Sequence, residues 1–176
     1  MAFCNCSVPA DGPGKWDKKH LRWALANAPS LANIAQRNFR KVANVCGLTF
    51  AQTQDERRAD IVIALAEIDG PRGTLGQAWY PIPTSPNAGL ILLDKDEDWR
   101  VTGKLEHVLL HEIGHSLGLT HSHDVNSVMF PEAVRPYEQD WAQTDVANLR
   151  RLYGKPPSKV APKSSFWAWF ISLFRR

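Results

Sequence analysis

From His20 the run H-L-R-W-A-L alternates apolar and polar positions, which predicts a strand. After Pro29-Ser30 the period changes. Leu31, Ile34, Ala35, Phe39 and Val42 fall on one face of an amphipathic helix. L-T-F-A (48–51) and D-I-V-I-A-L-A (60–66) predict strands, and the second is nearly all apolar, as in a strand covered on both faces. A loop rich in Gly and Pro follows from Asp69, and G-L-I-L-L (89–93) predicts a further strand. Thr102 is placed to cap a helix that runs to about Leu117, with Leu105, Val108, Leu109 and Ile113 turned inward. Gly118 stands where a helix ends in a left-handed residue. A last helix is predicted over 143–153, with Val146, Leu149 and Leu152 inward and Gly154 at its end. Strands and a helix, then helices, predict the α+β class. Before all of this, Pro9, Gly12, Pro13 and Gly14 mark residues 1–14 as a loose leader.

Composition changes this picture little. With 176 residues, 44% of them hydrophobic, the chain suits one domain with a sizeable core. A formal net charge of +3 is too small to argue for nucleic acid, and the excess sits at one end. Lys155, Lys159, Lys163, Arg175 and Arg176 face no acid within 155–176, so the body carries about −2. Cys4, Cys6 and Cys46 are odd in number and lack framework spacing, which argues against a disulfide scaffold. The first residues show no basic region followed by an apolar run, so no signal peptide is expected. No apolar run approaches the roughly 20 residues of a membrane span.

Candidate chemistry concentrates in H-E-I-G-H-S-L-G-L-T-H, residues 111–121. On a helix, His111 and His115 share a face one turn apart and can bind one Zn²⁺. Gly118 lets the chain turn back and bring His121 round as a third ligand. Three protein ligands leave one open position, the mark of a catalytic zinc. Glu112 is then placed to take a proton from an activated water.

The motif H-E-x-x-H-x-x-G-x-x-H followed by Met129, in S-V-M-F-P, is the metzincin signature. Ser122 and the M-F-P triplet resemble the matrixins within that group. K-W-D-K-K-H-L, R-N-F-R-K-V-A-N-V-C-G-L-T-F, A-D-I-V-I, D-G-P-R-G-T-L, L-D-K-D-E-D-W and A-Q-T-D-V-A-N-L-R-R-L-Y-G are similar to that family in the same order, so the resemblance covers about 15–154. It implies a metalloendopeptidase of the extracellular matrix type, with one catalytic zinc, a protein or peptide substrate, a monomeric state and an extracellular location. Met129 would form the methionine turn. His107, Val108, Phe130 and Pro131 would line the pocket for the residue after the cut, and the substrate would lie along an edge near Leu75 to Trp79.

Three departures qualify the resemblance. Gln77 and Leu92 stand where two histidines of the family's structural zinc would be, and the loop that carries its other two ligands is deleted between Leu65 and Asp69, so no second zinc is expected. Asp69, Asp94 and Glu97 match carboxylate ligands of a calcium site, completed by carbonyls near Gly70, Arg72 and Thr74; the alternative is that these acids only cap a loop. C-S-V-P-A-D from Cys6 resembles the family's latency segment, in which a thiolate fills the open position of the zinc; the alternative is a free thiol on a loose end.

Beyond the basic linker 155–165, F-W-A-W-F-I-S-L-F-R-R (166–176) suits a membrane surface, a partner protein or the domain itself. Two rival functions are therefore carried: a non-catalytic or latent zinc-binding module, and a peripheral membrane protein, which deletion of 155–176 would discriminate.

Overall fold

The computed structural model describes residues 3–4, 13–133, 136–137 and 140–157. Its elements are β1 (Phe3–Cys4), β2 (His20–Leu25), α1 (Ala32–Val45), β3 (Thr49–Gln52), β4 (Ile61–Ala66), β5 (Thr74–Ala78), β6 (Leu90–Asp94), α2 (Lys104–Ser116) and α3 (Gln143–Tyr153). The strands form one sheet in the order β1-β5-β6-β4-β2-β3. Only β5 against β6 is antiparallel. The class is α+β, as the order of elements predicts.

The core lies between the sheet and the helices. Ile61 and Ile63 of β4 and Ile91 and Leu93 of β6 are fully buried, whereas the alternate residues Val62 and Ala64 are half-buried, so the second face of β4 is less covered than its apolar run predicts. Ala35, Phe39 and Val42 bury the predicted stripe of α1, and Phe39 packs between Trp23 and Phe50 with ring centroids 5.0 and 4.8 Å away. Helix α2 is buried nearly all round, because α1, the sheet and the chain after Gly118 enclose it. Glu106, on its outer side, joins α1 through Arg37 (2.9 Å) and Lys41 (2.7 Å).

The start of α2 differs from expectation. Thr102 is not its cap; the helix begins at Lys104 after Gly103 in the left-handed region (φ 81°), with no side-chain cap. The Lys104 N–H is instead met by the Val101 carbonyl at 3.1 Å. The loop predicted from Asp69 holds β5, and the leader contributes β1.

The far end of α2 is fastened by distant residues. Trp16 Nε1 donates to the Ser116 carbonyl (2.9 Å), and the Tyr153 hydroxyl donates to that of Leu117 (2.8 Å). Tyr153 also accepts the Trp16 N–H at 3.2 Å. These donors satisfy carbonyls that a helix end leaves open.

Candidate active site

His111 and His115 stand one turn apart on α2, with Nε2 atoms 3.0 Å apart. Gly118, at φ 90°, ends the helix: its N–H donates to His115 O (2.8 Å), and that of Leu119 donates to Gly114 O (2.9 Å). The chain turns back and brings His121 Nε2 to 3.2 Å from His115 Nε2. The outer nitrogens are committed. His111 Nδ1 donates to Val128 O at 2.6 Å, and His115 Nδ1 donates to Leu119 O at 2.7 Å. Each Nδ1 thus carries the ring proton, and the Nε2 lone pairs of both rings turn to a common point.

Bare lone pairs so close need a cation between them. Tetrahedral zinc with bonds of about 2.0–2.1 Å places its ligand nitrogens roughly 3.3 Å apart. The three rings therefore fit zinc, and among the described residues they are the one group of three or more ligating side chains that converges. Burial, reinforced by the crowding of other imidazoles, pushes His111 well below the ordinary histidine range. That keeps it in the neutral form a ligand needs. The buried Tyr80 adds a hydroxyl 3.2 Å from His115 Nδ1 and sets its ring edge-on to that imidazole. Tyr80 has no signal in the sequence, being 35 positions away from its partner.

Met129 packs against α2 beside Gly114. It is 1% exposed, and a side chain on Gly114 would strike its sulfur, so the glycine of H-E-I-G-H is a packing requirement. The methionine segment is held by Asp145 of α3. The Ser127 hydroxyl donates to Asp145 Oδ1 (2.5 Å), and the Val128 N–H donates to Oδ2 (3.0 Å). Asp145 also accepts the Ala142 N–H (3.1 Å), the carboxylate half of a capping box. Burial pushes this carboxyl above the usual carboxylate range, against the opposing pull of those donors. Val128 is thus gripped at both ends, by Asp145 at its N–H and by His111 at its carbonyl.

Glu112 is fully buried and faces β5. A methyl on Gly76 would lie 2.9 Å from Glu112 Oε1, so glycine lets the strand pass this near without moving the carboxylate. Along the outer edge of β5, β1 pairs in parallel, with Phe3 opposite Thr74 and Cys4 opposite Gly76.

Of the expected pocket residues, His107 and Val108 are buried and Phe130 and Pro131 are half-buried; the His107 ring lies 5.8 Å from that of Tyr137. Gln77 and Leu92 are cross-strand partners between β5 and β6. Cys6 and the tail 166–176 lie outside the described residues. Cys46 is buried, and burial pushes its thiol up.

Asp69, Asp94 and Glu97 gather at the loop before β5, with their oxygens already committed. Asp94 accepts the N–H groups of Asp69 (3.2 Å), Gly70 (3.1 Å) and Asp96 (2.9 Å). Burial alone would raise Asp94, but these N–H groups hold it below the usual carboxylate range. Asp69 accepts both the N–H (2.8 Å) and hydroxyl (2.7 Å) of Thr74. Glu97 accepts the Arg72 N–H on one oxygen and the Lys104 ammonium (2.8 Å) on the other.

Comparison with known proteins adds to this geometry. Residues 15–154 match the family model described as Matrixin. The chain is 30% identical to an interstitial collagenase of Sus scrofa, across 89% of this chain and 38% of that one. It is 34% identical to a probable matrix metalloproteinase of Invertebrate iridescent virus 3, across 88% and 48%. Against matrix metalloproteinase-26 of Homo sapiens it is 35% identical, across 90% and 69%. The chain thus spans less than half the length of the first two.

Proposed function

Since the chain belongs to the matrixin family, we propose that it is a zinc-dependent endopeptidase that hydrolyses internal peptide bonds of protein substrates. The observation that carries this reading is the convergence of His111, His115 and His121 beside the buried Glu112, against β5. His111, His115 and His121 would hold the metal. Zinc, when bound, supplies a Lewis acid that polarises the scissile carbonyl and lowers the pKa of a water from about 16 to about 7.

The chain's own residues do the rest. Glu112 takes a proton from the attacking water and passes it to the leaving amine as the C–N bond breaks. The water oxygen remains on the carbonyl carbon as the new carboxyl. With β1 displaced from its outer edge, strand β5 would offer main-chain groups to an extended substrate, by strand addition. His107, Val108, Phe130 and Pro131 line the pocket for the residue after the cut. The His107 ring beside Tyr137 favours a shallower, more polar pocket than a leucine would leave.

The test is hydrolysis of a mixed peptide library by the zinc-loaded chain, beside Glu112→Gln. Cleavage by the parent is expected, with loss of about 100-fold or more in the variant at unchanged zinc content. Equal cleavage by both would sink the role of Glu112.

The pairing of β1 with β5 favours a second reading, in which residues 1–14 hold the enzyme latent. Phe3 and Cys4 lie on the edge a substrate strand would use, and Cys6, two positions on from Cys4, would supply a thiolate to the open metal position. A chain starting at Lys15 should then cleave faster than the full chain; equal rates would dismiss latency.

A further inference from the structure

Lys104 is the first residue of α2, where a positive charge opposes the helix dipole. It is also 8% exposed, and burial is costly for an ammonium. Its surroundings account for both. Nζ lies 2.8 Å from Glu97 Oε2 and 3.4 Å from the Asp98 carbonyl, and 5.2 Å from the centre of the Trp99 ring. Trp99 is itself pinned by its Nε1, which donates to the Asp94 carbonyl at 2.8 Å. Glu97, 7% exposed, spends its second oxygen on the Arg72 N–H, and Arg72 is the one non-glycine at positive φ (70°) among the described residues.

With Lys104 in place this donor set does not suit calcium. Ca²⁺ takes six to eight oxygens at about 2.3–2.6 Å. Here every oxygen of Asp69, Asp94 and Glu97 already faces an N–H, a hydroxyl or an ammonium. A divalent ion on Glu97 would also lie against a buried positive charge. We propose that the Lys104 ammonium is the resident counter-ion of the 69–97 loop, in place of a divalent cation, so that β5 is held over the zinc site without calcium. The inference rests on this loop alone and stands whether or not the chain cleaves peptides.

The test uses the full zinc-loaded chain, with equilibrium dialysis against radioactive calcium and thermal melts from zero to millimolar CaCl2. The wild type should take up no calcium and keep its Tm. Lys104→Gln should melt about 10 °C lower without calcium, as expected for breaking a buried pair in a domain of this size. Calcium should restore part of that loss, and a variant that folds only with calcium would support the proposal equally. Uptake of one calcium by the wild type would overturn it, and this arm needs no variant. So would a Lys104→Gln chain that melts at the wild-type temperature without calcium.

Discussion

Asp145 is the group through which the last helix reaches the metal site, and two substitutions there separate its charge from its shape. Asp145→Ala leaves the Ser127 hydroxyl and the N–H groups of Val128 and Ala142 facing a hole. Each orphaned donor costs about 1–3 kcal/mol, and water entering the hole returns part of that. A net loss of about 3–5 kcal/mol is expected, or roughly 10 °C in Tm. Asp145→Asn should behave differently. Its amide oxygen can still accept both N–H groups, and its NH2 can donate to Ser127. Burial raises the native carboxyl, outweighing the donors around it, so the site holds the charge at a cost. Removing the charge should therefore cost at most about 1 kcal/mol at neutral pH. Loosening the Val128 N–H also frees the carbonyl that orients His111, so the Ala variant should lose about 10–100-fold in zinc affinity. Urea unfolding of the metal-free chains and competition with a chromophoric zinc chelator read the two effects. If Asn proves as damaging as Ala, the charge itself holds the segment and the reasoning fails. If Ala keeps wild-type stability, the contacts carry no weight.

Further outcomes follow from Glu112 and Glu106. Gly76→Ala should push Glu112 off its position, lowering kcat/KM by about 100-fold with little change in Tm, and should add nothing to a Glu112→Ala background; additive losses would show that the glycine acts elsewhere. Burial alone would raise Glu106, but its pairing with Arg37 and Lys41 overcomes this and holds the carboxyl below the usual range. Its contribution is therefore complete above its unfolded pKa of about 4.3 and lost as pH falls through the lower folded value. The stability gap between wild type and Glu106→Gln, about 1 kcal/mol for a partly screened cluster, should hold at neutral pH and narrow as pH falls below about 4.3; a gap unchanged by pH would refute the assignment.

Periodic segments were legible because their own residues carry the pattern. The stripe from Leu31 to Val42, the apolar run of β4 and the cap at Gly154 appear within a residue of their observed places. β5 was hidden in the chain pattern, since T-L-G-Q-A neither alternates nor runs apolar; its glycine answers to Glu112, not to strand propensity. The three histidines and Glu112 were legible because one helix and one turn set their spacing. Tyr80, Asp145 and Lys104 were not. Each acts through a partner that nothing local announces: His115 lies 35 positions from Tyr80, and Ser127 lies 18 from Asp145. The Thr102 cap failed for a similar reason, as a backbone carbonyl took the place of a side chain.

The fastening of α2 by Trp16 and Tyr153 bears on how this protein comes into being. These contacts join residues 100, 36 and 137 positions apart. Loops of that length close late and slowly. A chain emerging from the ribosome cannot complete the end of its histidine helix until Tyr153 has been made. His111 through His121 precede Tyr153 by 32 to 42 positions and so leave the ribosome first. The order of synthesis thus sets ligand emergence ahead of ligand fixation, and the end of the histidine helix is fastened only once the closing helix is in place.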